Sequence, residues 1–168
     1  YPSIFVEYNT GRVSIGFDVI PGAVESEEQA RTDINLGTVR DASAGVGNDG
    51  AGAAITNTVK VEISRHVTLY ALVPIMDTGA FIRAGVSRMD VETKEALATG
   101  SSYGNKDGVQ GIHAGLGYQH DTDGYFVRGE IGYSKYANIK LTSENNSDNK
   151  IDVDLEGVWG RISIGKAF

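Results

Sequence analysis

The stretch "YFVRGEIGYSKYANIKL", residues 125–141, repeats with a period of two. Tyr125, Val127, Ile131, Tyr133, Ala137, Ile139 and Leu141 share one face, and Arg128, Glu130, Ser134, Asn138 and Lys140 share the other. Phe126, Lys135 and Tyr136 are out of step. Alternation of this kind belongs to a strand, not to a helix with its period of 3.6. The run is also far longer than the roughly 5–6 residues of a typical soluble strand. One face is apolar and the other carries charges of both signs, so the strand has two different environments to satisfy.

The same period recurs on both sides of this stretch. In "VSIGFDV" (13–19), Val13, Ile15, Phe17 and Val19 oppose Ser14, Gly16 and Asp18. In "GIHAGLGY" (111–118), Ile112, Ala114, Leu116 and Tyr118 oppose Gly111, His113, Gly115 and Gly117. Val59, Val61, Ile63, Val67, Leu69, Ala71, Val73 and Ile75 keep one parity, with Arg65 the one residue out of place. Strands are expected at about 2–8, 13–22, 58–75, 80–92, 108–118, 125–141 and 150–168. No long helix competes, and "ESEEQAR" (25–31) is read as at most a turn of helix. The last strand breaks step: Ile151, Val153, Leu155 and Trp159 are odd, Ile162, Ile164 and Phe168 even. A bulge at Gly160–Arg161 restores a continuous apolar face. A bulge at Gly157 is the rival, turning Val158 outward and Trp159 inward. A further switch is read near Arg88–Met89. Alternatively, if such strands cross a bilayer, the outer ends of the broken strands rise beyond it, where lipid no longer dictates which face is apolar.

The connections fall into two alternating classes. "NTGR" (9–12), "MDTG" (76–79) and "HDTDG" (120–124) are short and carry hairpin chemistry. Residues 23–57, 93–107 and 142–149 are long and polar, the first containing the small-residue tract "DASAGVGNDGAGAA". Transmembrane barrels sort their connections this way, with short turns on one side and long loops on the other. The expected strands at 58–75 and 125–141 also match or exceed the about 9–11 residues that cross a bilayer at a tilt.

Composition narrows the choices. The chain has 168 residues, which suggests a single domain over 1–168. Its net charge is −7 with no basic stripe, which argues against a nucleic-acid partner. It has no Cys, so disulfide and thiol chemistry are excluded. Glycine is abundant at 22, suiting crowded interiors and tight turns, and Tyr outnumbers Phe, 8 to 5. Tyrosine suits the boundary of water and lipid.

The terminal stretch "WGRISIGKAF", with "FVRGEIGY" and "HAGLGYQHD", resembles small outer-membrane β-barrels of Gram-negative bacteria, including porin-like proteins of marine alphaproteobacteria. The resemblance implies an all-β, antiparallel up-and-down transmembrane barrel of about eight strands. It implies lipid and lipopolysaccharide as surroundings. It also implies that Ile162, Ile164 and a terminal Phe168 are read by the barrel-assembly machinery. Seven strands are counted, and bacterial single-chain barrels have an even number. One strand is therefore expected before Tyr1. A strand pair within 23–57 would leave the count odd.

With apolar faces toward lipid, Glu7, Arg12, Asp18, Arg83, His113, Arg128, Glu130 and Arg161 point inward as a lumen charge network. Inside a narrow barrel such charges must be paired. Tyr8, Tyr118, Tyr125 and Tyr133 are candidates for aromatic girdles, joined by Trp159 if the bulge lies at Gly160. "GSSYG" (100–104) matches a hydrolase pattern in letters but lies in a polar loop, not on a strand–turn–helix elbow. The acidic groups Asp121/Asp123 and Asp148/Asp152/Asp154 lack calcium-loop spacing. No enzyme activity, cofactor or metal site is assigned. The expected function is a non-enzymatic outer-membrane structural and surface-interaction protein. Its lumen is occluded, and its loops meet neighbouring cells, phage or ligands. A small porin for water, ions or small solutes is the alternative, and a soluble lipocalin-like binder a third.

Overall fold

The computed structural model describes residues 1–34, 54–97, 102–143 and 150–167. In chain order its strands are β1 (Ile4–Asn9), β2 (Ser14–Val19), β3 (Val24–Glu25), β4 (Gln29–Ile34), β5 (Ala54–Pro74), β6 (Ala80–Ala96), β7 (Asn105–Thr122), β8 (Tyr125–Tyr136), β9 (Ile139–Thr142), β10 (Lys150–Val153) and β11 (Glu156–Lys166). Among the described residues there is no helix. The "ESEEQAR" segment is not a helical turn: its residues enter β3 and β4, which pair with β5. The fold is an antiparallel sheet in the order β1-β2-β5-β6-β7-β8-β11. The short strands extend this path. β3 and β4 continue the line of β2 beside β5, and β9 pairs with β10 beyond the β8–β11 pair. Among the described residues no pairing joins β1 to β11, so the sheet is not closed.

Three tight turns lie at one end. Asn9 Oδ1 accepts from Gly11 N–H at 2.6 Å, and Gly11 has φ 88°. Thr78 Oγ1 donates to Ile75 O at 2.6 Å across the β5–β6 turn. Asp123 and Gly124, with φ 49° and 82°, form the two-residue β7–β8 turn. Positive φ at both central residues marks the primed turn whose twist matches its strands, and Asp-Gly supplies it. The strand therefore runs on through His120 to Thr122.

Cross-strand register stacks the faces into rows. Val73, Ile82, Leu116 and Ile131 are successive partners on the outer face, as are Val6, Phe17, Leu69, Val86 and Ile112. Inward rows combine glycines with bulky residues. Gly16–Tyr70–Gly85–His113 is one, and Arg83–Gly115–Gly132–Trp159 another. A side chain at Gly16 would run into the Tyr70 ring, and one at Gly117 into Phe81. This crowding is why the inward faces carry so many glycines.

The interior changes character with height. At the loop end, Met89, Val91, Val109, Ile139 and Leu141 form a buried apolar core, with Val61, Ile63, Val153 and Leu155 packed against it. Nearer the tight turns the interior is charged and the outside apolar.

Several expected facings are corrected by this inversion. Ile139 and Leu141 point inward, because the chain steps between β8 and β9 at Ala137–Asn138. Val61 and Ile63 face the core, whereas Leu69 and Val73 are exposed. The switch is a bulge at Arg65–His66, where the β5–β6 register shifts between Ser64 and Val67 and Arg65 takes φ 48°. Near Arg88–Met89 the register also shifts, but the extra residue lies on β7 at Asp107–Gly108, and β6 keeps its facing. Gly108 N–H donates to Asp90 Oδ1 at 2.7 Å, and Arg65 pairs with Asp90, tying the two bulges together. No bulge interrupts β11, which pairs with β8 residue for residue from Glu156 to Lys166. Val158 is 84 % exposed and Trp159 faces in, so Trp159 belongs to no outer girdle.

Candidate functional site: an interior charge cluster

Every strand along the main path of the sheet delivers a side chain to the cluster through strict alternation. β1 supplies Glu7, β2 Asp18, β5 Tyr70, β6 Arg83, β7 His113 and Gln119, β8 Arg128 and Glu130, and β11 Arg161. Asp18, Arg83, His113, Arg128 and Glu130 are buried, and Glu7 and Arg161 are half-buried. Arg12 is exposed at the β1–β2 turn and stands outside the cluster, because strand parity no longer governs a residue in the turn.

Two hubs, one cationic and one anionic, organise the charges. Arg128 donates to both oxygens of Glu7, at 2.5 and 2.7 Å, and to Gln119 Oε1 at 3.0 and 2.6 Å. Tyr70 O–H donates to the same Glu7 at 2.6 Å. Phe81 and Phe126 flank the guanidinium, with ring centroids 5.2 and 4.8 Å away. The second hub is Glu130, which accepts from Arg83 Nη1 at 3.2 Å and from Arg161 Nε at 2.7 Å. Arg161 also donates to Asp18, and Arg83 stacks over the Tyr70 ring at 3.5 Å. Three arginines thus meet three carboxylates, so the cluster carries no net formal charge. Bidentate pairing of opposite charges is what makes buried charge tolerable.

The histidines have defined partners. Arg83 Nε donates to His113 Nε2 at 3.3 Å, so that nitrogen holds a lone pair and the ring proton sits on Nδ1. Nδ1–H then donates to Ser87 Oγ at 3.4 Å, and Ser87 bonds Thr68 at 3.1 Å. In this arrangement the imidazole has no free lone pair to take the serine's proton, so the pair is not set up as nucleophile and base. His66 Nε2 bonds Tyr136 O–H at 3.0 Å, and His120 is exposed.

A cavity of about 630 Å³ lies on one side, bordered by Asp18, His66, Trp159 and Arg161. A second, of about 820 Å³, borders Glu7, Gln119 and Arg128 toward the tight turns. Both also touch β1 and β11.

Tyr70, Gln119 and Ser87 were not singled out from sequence, whereas Trp159 was, as an outer-girdle residue or, on the rival reading, an inward one. Gln119 could have been, since it continues the inward parity of His113, Gly115 and Gly117. The acidic groups are taken up locally: Asp121 accepts from Gln119 at 2.8 Å, Asp154 from Asn138 at 2.9 Å, and Lys140 pairs with Asp152 at 3.6 Å. Asp148, Gly100, Ser101 and Phe168 lie outside the described residues, as does nearly all of the small-residue tract. Among the described residues no His/Asp/Glu group is placed to hold a metal ion. No family model matches the chain, and no match was found among curated proteins or solved structures.

Proposed function

We propose that this chain forms an integral β-barrel of a bacterial outer membrane. It anchors and displays its loop end, with a lumen blocked by its own side chains. The observation that carries this reading is the exposed apolar belt. Each of the seven strands along the main path of the sheet bears large exposed apolar side chains, among them Val6, Phe17, Leu69, Val86, Leu116, Ile131 and Ile162. They surround an interior of paired charges. A water-soluble binder needs the reverse, and monomeric soluble proteins rarely leave so large an apolar surface open. Each such side chain removed from water is worth roughly 1.5–3 kcal/mol.

The vertical zoning supports the same reading. Exposed Tyr8, Tyr118 and Tyr125 sit near the tight turns, and Tyr133 stands eight residues up β8 from Tyr125. At about 3.3 Å per residue that is roughly 26 Å along the strand, or about 20 Å of height at the usual tilt of transmembrane strands, so the two rings lie near opposite edges of a lipid-facing band flanked by aromatic girdles. Lys166 lies 5.6 Å over the Tyr125 ring, as a snorkelling lysine would. Above this band the apolar residues turn inward around Met89, as in a water-exposed domain. That part would display the loops to neighbouring cells, phage or ligands.

The neutral cluster lies between the two cavities, which favours occlusion over an open pore. The test is reconstitution. The chain is expected to need detergent or lipid to remain monodisperse and to give silent planar-bilayer records. Monodisperse behaviour in plain buffer would overturn the membrane reading. Sustained channel openings would replace the plug with the small-porin reading.

A further inference from the structure

We propose that the outward face of β5, β6 and β7 carries a binding site for one phosphorylated lipid. Its phosphate sits on Arg88 and an acyl chain fills the apolar groove beside it. The inference rests on the barrel reading above and gives one part of the outer face a specific occupant.

The groove follows from register. Phe17, Leu69, Val86 and Ile112 are successive cross-strand partners on the outer face, and all four are exposed. Together with Ala137 they border a groove of about 600 Å³. That lies within the about 300–1,000 Å³ of small-molecule sites. The next outward row toward the tight turns is Ala71, Ala84 and Ala114. Their short side chains leave a low path for a chain that continues down the band.

The polar end lies on the loop side. There the next outward row is Val67, Arg88 and Gln110. The outer face turns polar at this height, and the neighbouring Met89 enters the apolar core. Arg88 and Gln110 are exposed and, with Lys135, border the groove. The other charges at this height are engaged. Arg65 pairs with Asp90 and Asp107, and Lys135 with Glu156 at 3.3 Å. Asp90 is near enough to feel the Arg88 charge, but it accepts from Gly108 N–H and pairs with Arg65. Arg88 itself has no hydrogen bond or ion pair among the described residues. Its guanidinium rests on the β7 bulge: a Cβ at Gly108 would lie 2.8 Å from Nη2 and 3.1 Å from Nε. Gly108, at φ 68°, makes the room. The groove therefore ends at a cation whose forked donors are unclaimed, which is the complement of a phosphate. An apolar slot joined to such a cation matches an amphiphile with an anionic head.

The experiment titrates the protein in dodecylmaltoside micelles with dioleoyl phosphatidic acid, dioleoylglycerol and inorganic phosphate in turn. The Arg88 Nε–H and the Val86 and Ile112 methyl groups are followed by NMR. Phosphatidic acid should shift all three saturably. Dioleoylglycerol should bind at least about fivefold more weakly, and Arg88→Gln should weaken phosphatidic acid by about fivefold, the effect of one exposed ion pair. Lys166→Gln, at the other end of the band, should leave the titration unchanged. Equal shifts with inorganic phosphate would reduce the site to a bare anion contact and overturn the proposal. So would equal binding of dioleoylglycerol, or equal weakening by Lys166→Gln. Shifts that follow protein concentration instead of lipid would assign the groove to a second copy of the chain. Loss of the detergent requirement would sink the membrane reading instead. The same titration in plain buffer, with dihexanoyl phosphatidic acid, would then still decide the groove.

Discussion

Arg128 of β8 and Glu7 of β1 lie 121 positions apart in the chain and share two hydrogen bonds of 2.5 and 2.7 Å. The pair spans the interior from the first strand to one near the last, so it forms only when the sheet has curled. Arg128 is 2 % exposed and cannot recover solvation if its partner is lost. Glu7→Ala should therefore destabilise the fold by about 3–5 kcal/mol. Urea unfolding in lipid vesicles measures it, and a loss under 1 kcal/mol would show that water reaches the site.

If the charge cluster blocks the lumen, removing part of it without upsetting neutrality should open a path. Asp18→Ala combined with Arg161→Ala deletes one acid and one base from the cluster. Planar-bilayer records of this double variant should show discrete openings where the parent is silent. A silent variant that retains its sheet signal by circular dichroism would mean that these side chains are not the block.

Glycines on one strand should differ sharply by facing. Gly132 points inward against the Trp159 ring and the Ala114 carbonyl, whereas Gly129 faces open space. Gly132→Ala is expected to cost about 1–3 kcal/mol through overpacking. Gly129→Ala should stay within about 0.5 kcal/mol, the range of surface changes. Equal effects in an unfolding titration would contradict the inward rows.

Ile162 is 84 % exposed on β11. In a bilayer, Ile162→Arg should destabilise the folded protein by up to about 2–4 kcal/mol, depending on depth. In a soluble protein the same change would be neutral or improve solubility. Folding into vesicles and solubility in buffer, measured together, separate the two cases.

Beyond the apolar band, β3 is tied to β5 by Lys60 donating to Glu25 at 2.8 Å, and Lys94 pairs with Glu62 and Glu25. The hydrogen bond from Lys60 holds the Glu25 carboxyl below its usual range, and the hydrogen bond to Glu62 holds Lys94 above its own. Glu25's contribution is thus present above the ordinary glutamate value of about 4.3 and lost as pH falls through its lower folded value. The contribution of Lys94 is full below about 10.4 and lost as pH rises through its raised value. Amide exchange at Ser26, whose N–H donates to Val61 O at 2.8 Å, should quicken in acid beyond the intrinsic pH effect. Glu25→Gln should remove most of that acid response, and an unchanged response would assign it to other groups.

Strand class, tight-turn positions and the parity of most cluster members were legible in the chain. Alternation reports apolar against polar, however, and not inside against outside. In β5 an unbroken apolar series from Val59 to Val73 conceals a reversal of facing, marked only by Arg65, where the strand bulges. In β11 the apolar series breaks, yet the strand is straight. The two cases have one cause. The interior is apolar around Met89 and charged around Glu130, so an apolar residue belongs inside at one height and outside at another.

The amino-acid sequence by itself pointed to an all-β antiparallel chain of seven principal strands with short and long connections in alternation, because period and turn chemistry are local properties. Which carboxylate meets which arginine, where Trp159 points, and that β1 and β11 are the two unpaired ends of the sheet among the described residues were decided by tertiary structure. Those relations depend on register and curl, through which residues more than a hundred positions apart come to share one interior.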